Sequence, residues 1–131
     1  LVQYVKTAKY RDRPLAEEPL VRNKLAGLAV EIETLYGFYW RTAWLMDQGK
    51  APEPEASVLK LFGTELSRKV AGTAMEILGP YGSLERGSKW APLRGLISLG
   101  YLDSISGPIG AGTSEVQRGI IATRGLGLPR K

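Results

Sequence analysis

The chain has 131 residues, 44% hydrophobic and 24% charged, with a formal net charge of +5 at neutral pH. Such a chain buries roughly two-thirds of the surface it exposes when unfolded, so it fits one soluble globular domain that needs no disulfide or metal to fold, and is neither a disordered polyion nor a membrane protein. It has no Cys and no His, which excludes thiol nucleophiles, histidine bases, structural zinc and disulfide frameworks.

The positive charges are dispersed, with no run of five or more. They read as a solvated surface biased toward phosphate-bearing partners. No stretch reaches the roughly 18 apolar residues of a membrane span. The opening Leu1-Val2-Gln3-Tyr4-Val5-Lys6 is not a signal peptide, and a first residue other than Met predicts a piece of a longer protein. Residues 1 to 10 set Val2, Val5 and Ala8 on one helical stripe, and Arg11-Asp12-Arg13-Pro14 ends it because the residue before proline is pushed out of the α region. Glu17-Glu18-Pro19 opens the next helix with acidic residues at the positive end of the dipole. Leu25, Leu28, Ile32, Leu35, Tyr39, Thr42 and Met46 then recur at steps of three and four, a bundle seam over residues 19 to 48 that stops at Gly49. Tyr36, Trp40 and Trp44 thicken one flank and, with Tyr39, read as core or as the lining of a pocket.

Pro52-Glu53-Pro54-Glu55 is a short rigid connector. From Ala56 to Leu78 a helix carries Val58, Leu61, Phe62, Leu66, Val70, Ala74 and Ile77 on one face, and Gly79-Pro80 ends it. Residues 79 to 91 read as a loop. A short helix over residues 92 to 105 is expected to turn Leu93, Leu96, Leu99 and Leu102 inward. A last helix spans 114 to 125, with Ser114 and Gln117 spaced as a capping box, and the Gly125 to Lys131 tail is expected to fray. No strand candidate emerges. The fold class is all-α, a four-helix up-down bundle with an extra short helix, in a single domain over residues 1-131.

The stretch Ile109-Gly110-Ala111-Gly112-Thr113-Ser114-Glu115-Val116-Gln117-Arg118 concentrates the chemistry. Glycines ahead of a helix N-terminus either cap that helix or free backbone N–H groups to cradle an anion or a polarised carbonyl. Arg86, Lys89 and Arg94 either form a solvated loop or meet coenzyme phosphates or a partner subunit, and Glu17-Glu18 are explained by the helix start.

The run Gly-Thr-Ser-Glu-Val-Gln-Arg with Ile-Ile-Ala and Leu-Gly-Leu-Pro-Arg after it resembles the C-terminal signature of acyl-CoA dehydrogenases. Pro54-Glu55-Ala56-Ser57-Val58-Leu59-Lys60-Leu61-Phe62, Glu76-Ile77-Leu78-Gly79-Pro80-Tyr81-Gly82 and Trp40-Arg41-Thr42-Ala43-Trp44 resemble other segments of that family, in the right order over nearly the whole chain.

The resemblance implies the C-terminal helical bundle of an FAD-dependent flavoenzyme of lipid metabolism and fatty acid β-oxidation, which oxidises acyl-CoA thioesters between the α and β carbons. It implies packing against an N-terminal helical domain and a middle β domain, and a homodimer or tetramer, or a hetero-oligomer with a related subunit. It also implies an electron-transfer partner, no nucleic acid, and the bacterial cytoplasm ahead of the mitochondrial matrix.

Carried over, Thr113 and Glu115 are cofactor-binding; Glu76 and Gly79 meet the adenosine half of a neighbouring subunit's FAD; Arg13 supplies charge to its pyrophosphate; Ala111 and Gly112 hold the thioester carbonyl through backbone N–H groups. The family has Gln and Gly where this chain has Glu76 and Pro80, and Arg and Phe of an Arg-x-x-Phe-Gly-Lys motif where it has Ala8 and Arg11. Ala111 stands where many members carry the glutamate base, so no catalytic residue is assigned. The base is expected on an earlier helix upstream of Leu1 or is lost, and the fragment alone is expected to be inactive and not to retain FAD.

Overall fold

The computed structural model describes residues 1–130. In chain order the elements are α1 (Val2–Thr7), strands β1 (Lys9–Tyr10) and β2 (Arg13–Pro14), a 3-10 turn (Leu15–Glu17), α2 (Pro19–Asp47), α3 (Glu53–Leu78), 3-10 turns over Gly79–Ser83 and Pro92–Gly95, α4 (Leu96–Ser106), α5 (Ser114–Ile120) and a π-helical turn (Ile121–Gly125). The class is all-α, as expected. Among the described residues no helix is long and apolar enough to cross a membrane.

The residues group into two compact units, one of Leu1–Val30 with Lys69–Asp103 and one of Glu31–Arg68 with Ser104 onward. In the first, Val5 of α1 is the most deeply buried side chain at 1% exposure, and Leu28, Ala74 and Leu78 complete the core. The helix over residues 1 to 10 is shorter than expected, because residues 9–14 form an antiparallel hairpin in register Lys9↔Pro14 and Tyr10↔Arg13. Arg11 and Asp12 at its tip are both left-handed, with φ of 49° and 64°, the turn conformation that matches strand twist. This corrects the expectation of no strand. Leu15 N–H donates to Ala8 O at 2.8 Å and ties the hairpin to α1.

In the second unit α2 and α3 run antiparallel: Gly63 faces Leu35 Cδ1 at 3.5 Å, and the Phe38 and Phe62 rings meet edge-to-face at 5.5 Å. Leu45 and Leu66 are its buried apolar residues, beside buried Thr42, Ser57, Ser104, Ser114 and Gln117. Thr42 is satisfied locally, its hydroxyl donating to Phe38 O at 2.8 Å.

α2 begins at Pro19 and closes with a Schellman cap, Lys50 N–H donating to Leu45 O at 3.0 Å and Gly49 N–H to Met46 O at 2.9 Å, with Gly49 at φ +70°. Its inward stripe keeps Leu28 and Thr42 buried and Leu25 and Leu35 half-buried, while Ile32, Tyr39 and Met46 are exposed. Their place is taken by Phe38 and Leu45, one residue earlier in each turn. Tyr36, Tyr39, Trp40 and Trp44 are all exposed, Trp40 at 66%, which corrects the core reading. The stripe of α3 is buried or half-buried throughout, as read. The helix starts at Glu53 rather than Ala56, because Pro54 fits the first turn, where no N–H partner is needed. In α4, Leu96, Leu99 and Leu102 are exposed rather than inward. The last helix switches to a π turn at Ile121, and the tail is non-helical from Leu126 on; Lys131 lies outside the described residues.

Candidate functional site

The glycine run ahead of α5 is a tight left-handed turn. Ala111 has φ +54° and Gly112 φ +94°, and alanine adopts that region only under external constraint. The constraint is visible. Gln117 Nε2 donates to Ala111 O at 3.1 Å, Lys60 Nζ donates to Gly112 O at 2.6 Å, and Ser114 N–H donates to Pro108 O at 2.9 Å. A Cβ at residue 112 would lie 2.8 Å from Gln117 Nε2, and the φ of +94° is one that side-chain-bearing residues rarely adopt, so the position favours glycine.

With the carbonyls held this way, the N–H groups of Ala111, Gly112 and Thr113 have no protein partner among the described residues. Three consecutive free N–H donors suit a carbonyl oxygen or an anion.

Thr113, not Ser114, caps α5: its hydroxyl accepts from Val116 N–H at 3.4 Å. The expected capping box is corrected, because the side chain of Gln117 is turned back onto Ala111. Ser114 Oγ is buried and has no hydrogen-bond partner among the described residues. The Glu115 carboxyl is held below the usual carboxylate range by its own backbone N–H first and then by the Thr113 hydroxyl, with loss of solvation opposing them and the Arg118 guanidinium adding a lesser pull in the same direction. Arg118 also pairs with Glu65 at 2.6 Å. Thr113 and Glu115 line one groove of about 370 Å³ with Glu65, Arg68 and Arg118.

The remaining residues singled out in the sequence lie in the other unit. Glu76, near the end of α3, pairs with Lys24 of α2. Both line a groove of about 560 Å³ with Asn23, Gly27, Gly72 and Thr73, in which Gly27 and Gly72 leave room where side chains would project. Gly79, at φ +56°, follows the last residue of α3 and opens the 3-10 turn, with Pro80 as its second residue. Arg13 is exposed on β2 of the hairpin, and Ala8 caps α1. Thr113, Glu115, Ala111 and Gly112 are thus brought together, and Glu76 has an oppositely charged neighbour. Lys60 and Lys24 escaped the sequence reading. The available signal for Lys60 was a cation on the same helical stripe as Ser57 and Thr64.

Residues 1–126 match the family model described as acyl-CoA dehydrogenase, C-terminal domain. The chain belongs to the acyl-CoA dehydrogenase family. It is 36% identical over 120 residues to acyl-CoA dehydrogenase FadE26 of Mycobacterium tuberculosis, covering 88% of this chain and 30% of that protein. Among solved structures it is similar to the ChsE4-ChsE5 complex from Mycobacterium tuberculosis, with TM-score 0.90 and 32% identity over 99% of this chain and 34% of that one. It also resembles the Tcur3481-Tcur3483 steroid ACAD, with TM-score 0.85 and 32% identity over 92% of this chain and 32% of that one. The chain therefore spans about a third of the length of these proteins.

Proposed function

We propose that the 131 residues are the C-terminal domain of a longer FAD-dependent acyl-CoA dehydrogenase, which oxidises the Cα–Cβ bond of acyl-CoA thioesters to enoyl-CoA. The observation that carries this reading is the row of free N–H groups at Ala111, Gly112 and Thr113, positions that the resemblance assigns to substrate and cofactor.

FAD, when bound, supplies the acceptor for the hydride leaving the β carbon. The residues present fit it: the Thr113 hydroxyl and the ionised Glu115 stand beside the free donors, and Lys24 offsets the carboxylate that replaces the usual amide at Glu76. Thr113 and Glu115 would contact the cofactor at the start of α5, Arg13 would supply charge to its pyrophosphate, and Glu76 and Gly79 would meet the adenosine half of a neighbouring subunit's FAD.

The N–H groups of Ala111 and Gly112 would hold the thioester carbonyl and stabilise enolate character as the α proton leaves. Ala111 has no side chain that takes that proton. Glu115 is already engaged with Thr113 and its own N–H, so the base belongs to another segment of the longer protein. In this reading the protein works in the bacterial cytoplasm as a homo- or hetero-oligomer, passes electrons to a partner and needs no nucleic acid. The isolated chain does not turn over.

A second reading, a non-catalytic acyl-CoA dehydrogenase-like subunit serving assembly, is favoured by Ala8, Pro80 and Ala111. The two separate in one experiment on the longer protein: its visible spectrum, then addition of acyl-CoA and an artificial electron acceptor. Flavin absorbance that bleaches with turnover supports the enzyme. Flavin or no flavin without turnover, and turnover appearing only with a co-purified related subunit, supports the assembly role. Absence of flavin, turnover and any related partner overturns both.

A further inference from the structure

Residues 84–95 place three cations, Arg86, Lys89 and Arg94, within nine positions, with no acidic residue between them. The backbone brings the three together. Ser88 N–H donates to Glu85 O at 3.3 Å around Gly87, whose φ is +94°, and Ala91 N–H donates to Ser88 O at 3.1 Å. The chain then enters a 3-10 turn in which Leu93 and Arg94 are left-handed at φ 51° and 58°, followed by Gly95 at φ +71°. Three left-handed residues in succession are costly where two carry a Cβ. Gly95 is pressed against the start of the loop, since a Cβ there would lie 2.5 Å from Arg86 N and 2.6 Å from Glu85 C. The segment carrying Arg94 is thus locked onto the segment carrying Arg86.

Arg86, Lys89 and Arg94 line one open groove of about 760 Å³ with Gly87, Ser88 and Ala91. Its lining holds no carboxylate, and among the described residues none of the three cations has an acidic partner. Gathering like charges without a counter-charge is unfavourable unless an anion fills the space. Two guanidinium forks and an ammonium match phosphate oxygens, the forks bidentately. Beside them Lys89 Nζ stands 5.1 Å from the centre of the Trp90 ring, which is 67% exposed. An exposed indole next to a phosphate cradle offers a stacking face for a base.

We propose that this loop is a binding site for a nucleotide, with its phosphates on Arg86, Lys89 and Arg94 and its base on Trp90, the nucleotide being free or the nucleotide end of coenzyme A. The site does not depend on the dehydrogenase reading, since a non-catalytic relative would keep it.

Calorimetric titration of the chain with ADP, coenzyme A, dephospho-coenzyme A and adenosine tests it. ADP and coenzyme A are expected to bind, with adenosine at least about tenfold weaker, as loss of charge-assisted hydrogen bonds implies. Arg86→Gln and Arg94→Gly should each weaken ADP by about tenfold or more. Glycine takes the φ of residue 94 without strain, so loss of binding in Arg94→Gly does not come from misfolding. Trp90→Ala should weaken ADP and leave inorganic pyrophosphate unchanged. Coenzyme A tighter than its dephospho form supports the site with the coenzyme as its source, while equal affinity of both and of ADP supports it with free nucleotide. No heat with ADP or coenzyme A overturns the proposal. So does an equal loss in Lys50→Gln, which signals diffuse charge, or in Lys24→Met, which places the nucleotide in the groove of Glu76.

Discussion

Lys60 is the residue on which the turn ahead of α5 depends most directly, because its ammonium donates to Gly112 O at 2.6 Å. Lys60→Met keeps the stem and removes the donor, and should cost about 1.5–3 kcal/mol in urea unfolding, the range for a charge-assisted hydrogen bond. At Glu115 the relevant variable is protonation. Its carboxyl titrates below the ordinary value in the folded chain, chiefly through its own N–H and the Thr113 hydroxyl. The stabilisation it gives is therefore present at neutral pH, begins to fade as pH falls through the ordinary carboxylate range, and is gone below the depressed folded value. A carbon-detected NMR titration should place its midpoint below that of an ordinary glutamate, and Thr113→Val should move the midpoint up. A midpoint unmoved by Thr113→Val would sink the assignment of that hydroxyl. Both groups sit in a motif whose identity was legible in the sequence. The roles were less so: capping fell to Thr113 instead of Ser114 because Gln117 reaches back to Ala111, a contact no local pattern announces.

At the scale of elements, what was legible were the features that act locally. Pro19 and Gly49 bound α2 because proline suits a first turn and glycine a left-handed C′. The hairpin at residues 9–14 was not legible, since its two-residue turn is Arg11-Asp12 and carries no glycine. Nor was the register of the α2 seam, because residues 35 to 46 are apolar nearly all round and periodicity selects no single face. Glycines separate the same way. Gly37 lies inside α2 with open space for at least 4 Å around the point where a Cβ would project, so Gly37→Ala should raise stability by about 0.5–1 kcal/mol through helix propensity. Gly95→Ala meets backbone at 2.5 Å in a left-handed residue, and should lose more than about 2 kcal/mol or fail to fold. Thermal denaturation of the pair reads both signs.

For the whole molecule, the leading feature is apolar surface that the chain leaves uncovered. Tyr36, Tyr39, Trp40, Trp44 and Met46 on α2, and Leu96, Leu99, Leu102 and Ile105 on α4, are exposed. This is why the inward reading of the α4 leucines failed: apolar spacing identifies a face to be covered but not whether the covering residues belong to the same chain. The same reasoning bears on the cofactor. The chain spans 30% of the length of FadE26, and the grooves at Glu76 and at Thr113 are open rather than enclosed, each walled by only a few side chains. A dinucleotide held on such walls keeps much of its surface in water, and the gain from burial is correspondingly small. The purified 131-residue chain, incubated with FAD and passed through a desalting column, should therefore emerge without the visible flavin spectrum. The longer protein should emerge yellow. Flavin retained by the short chain would mean that the free N–H row and the groove of Glu76 suffice for tight binding, and the proposed need for further domains would then be wrong.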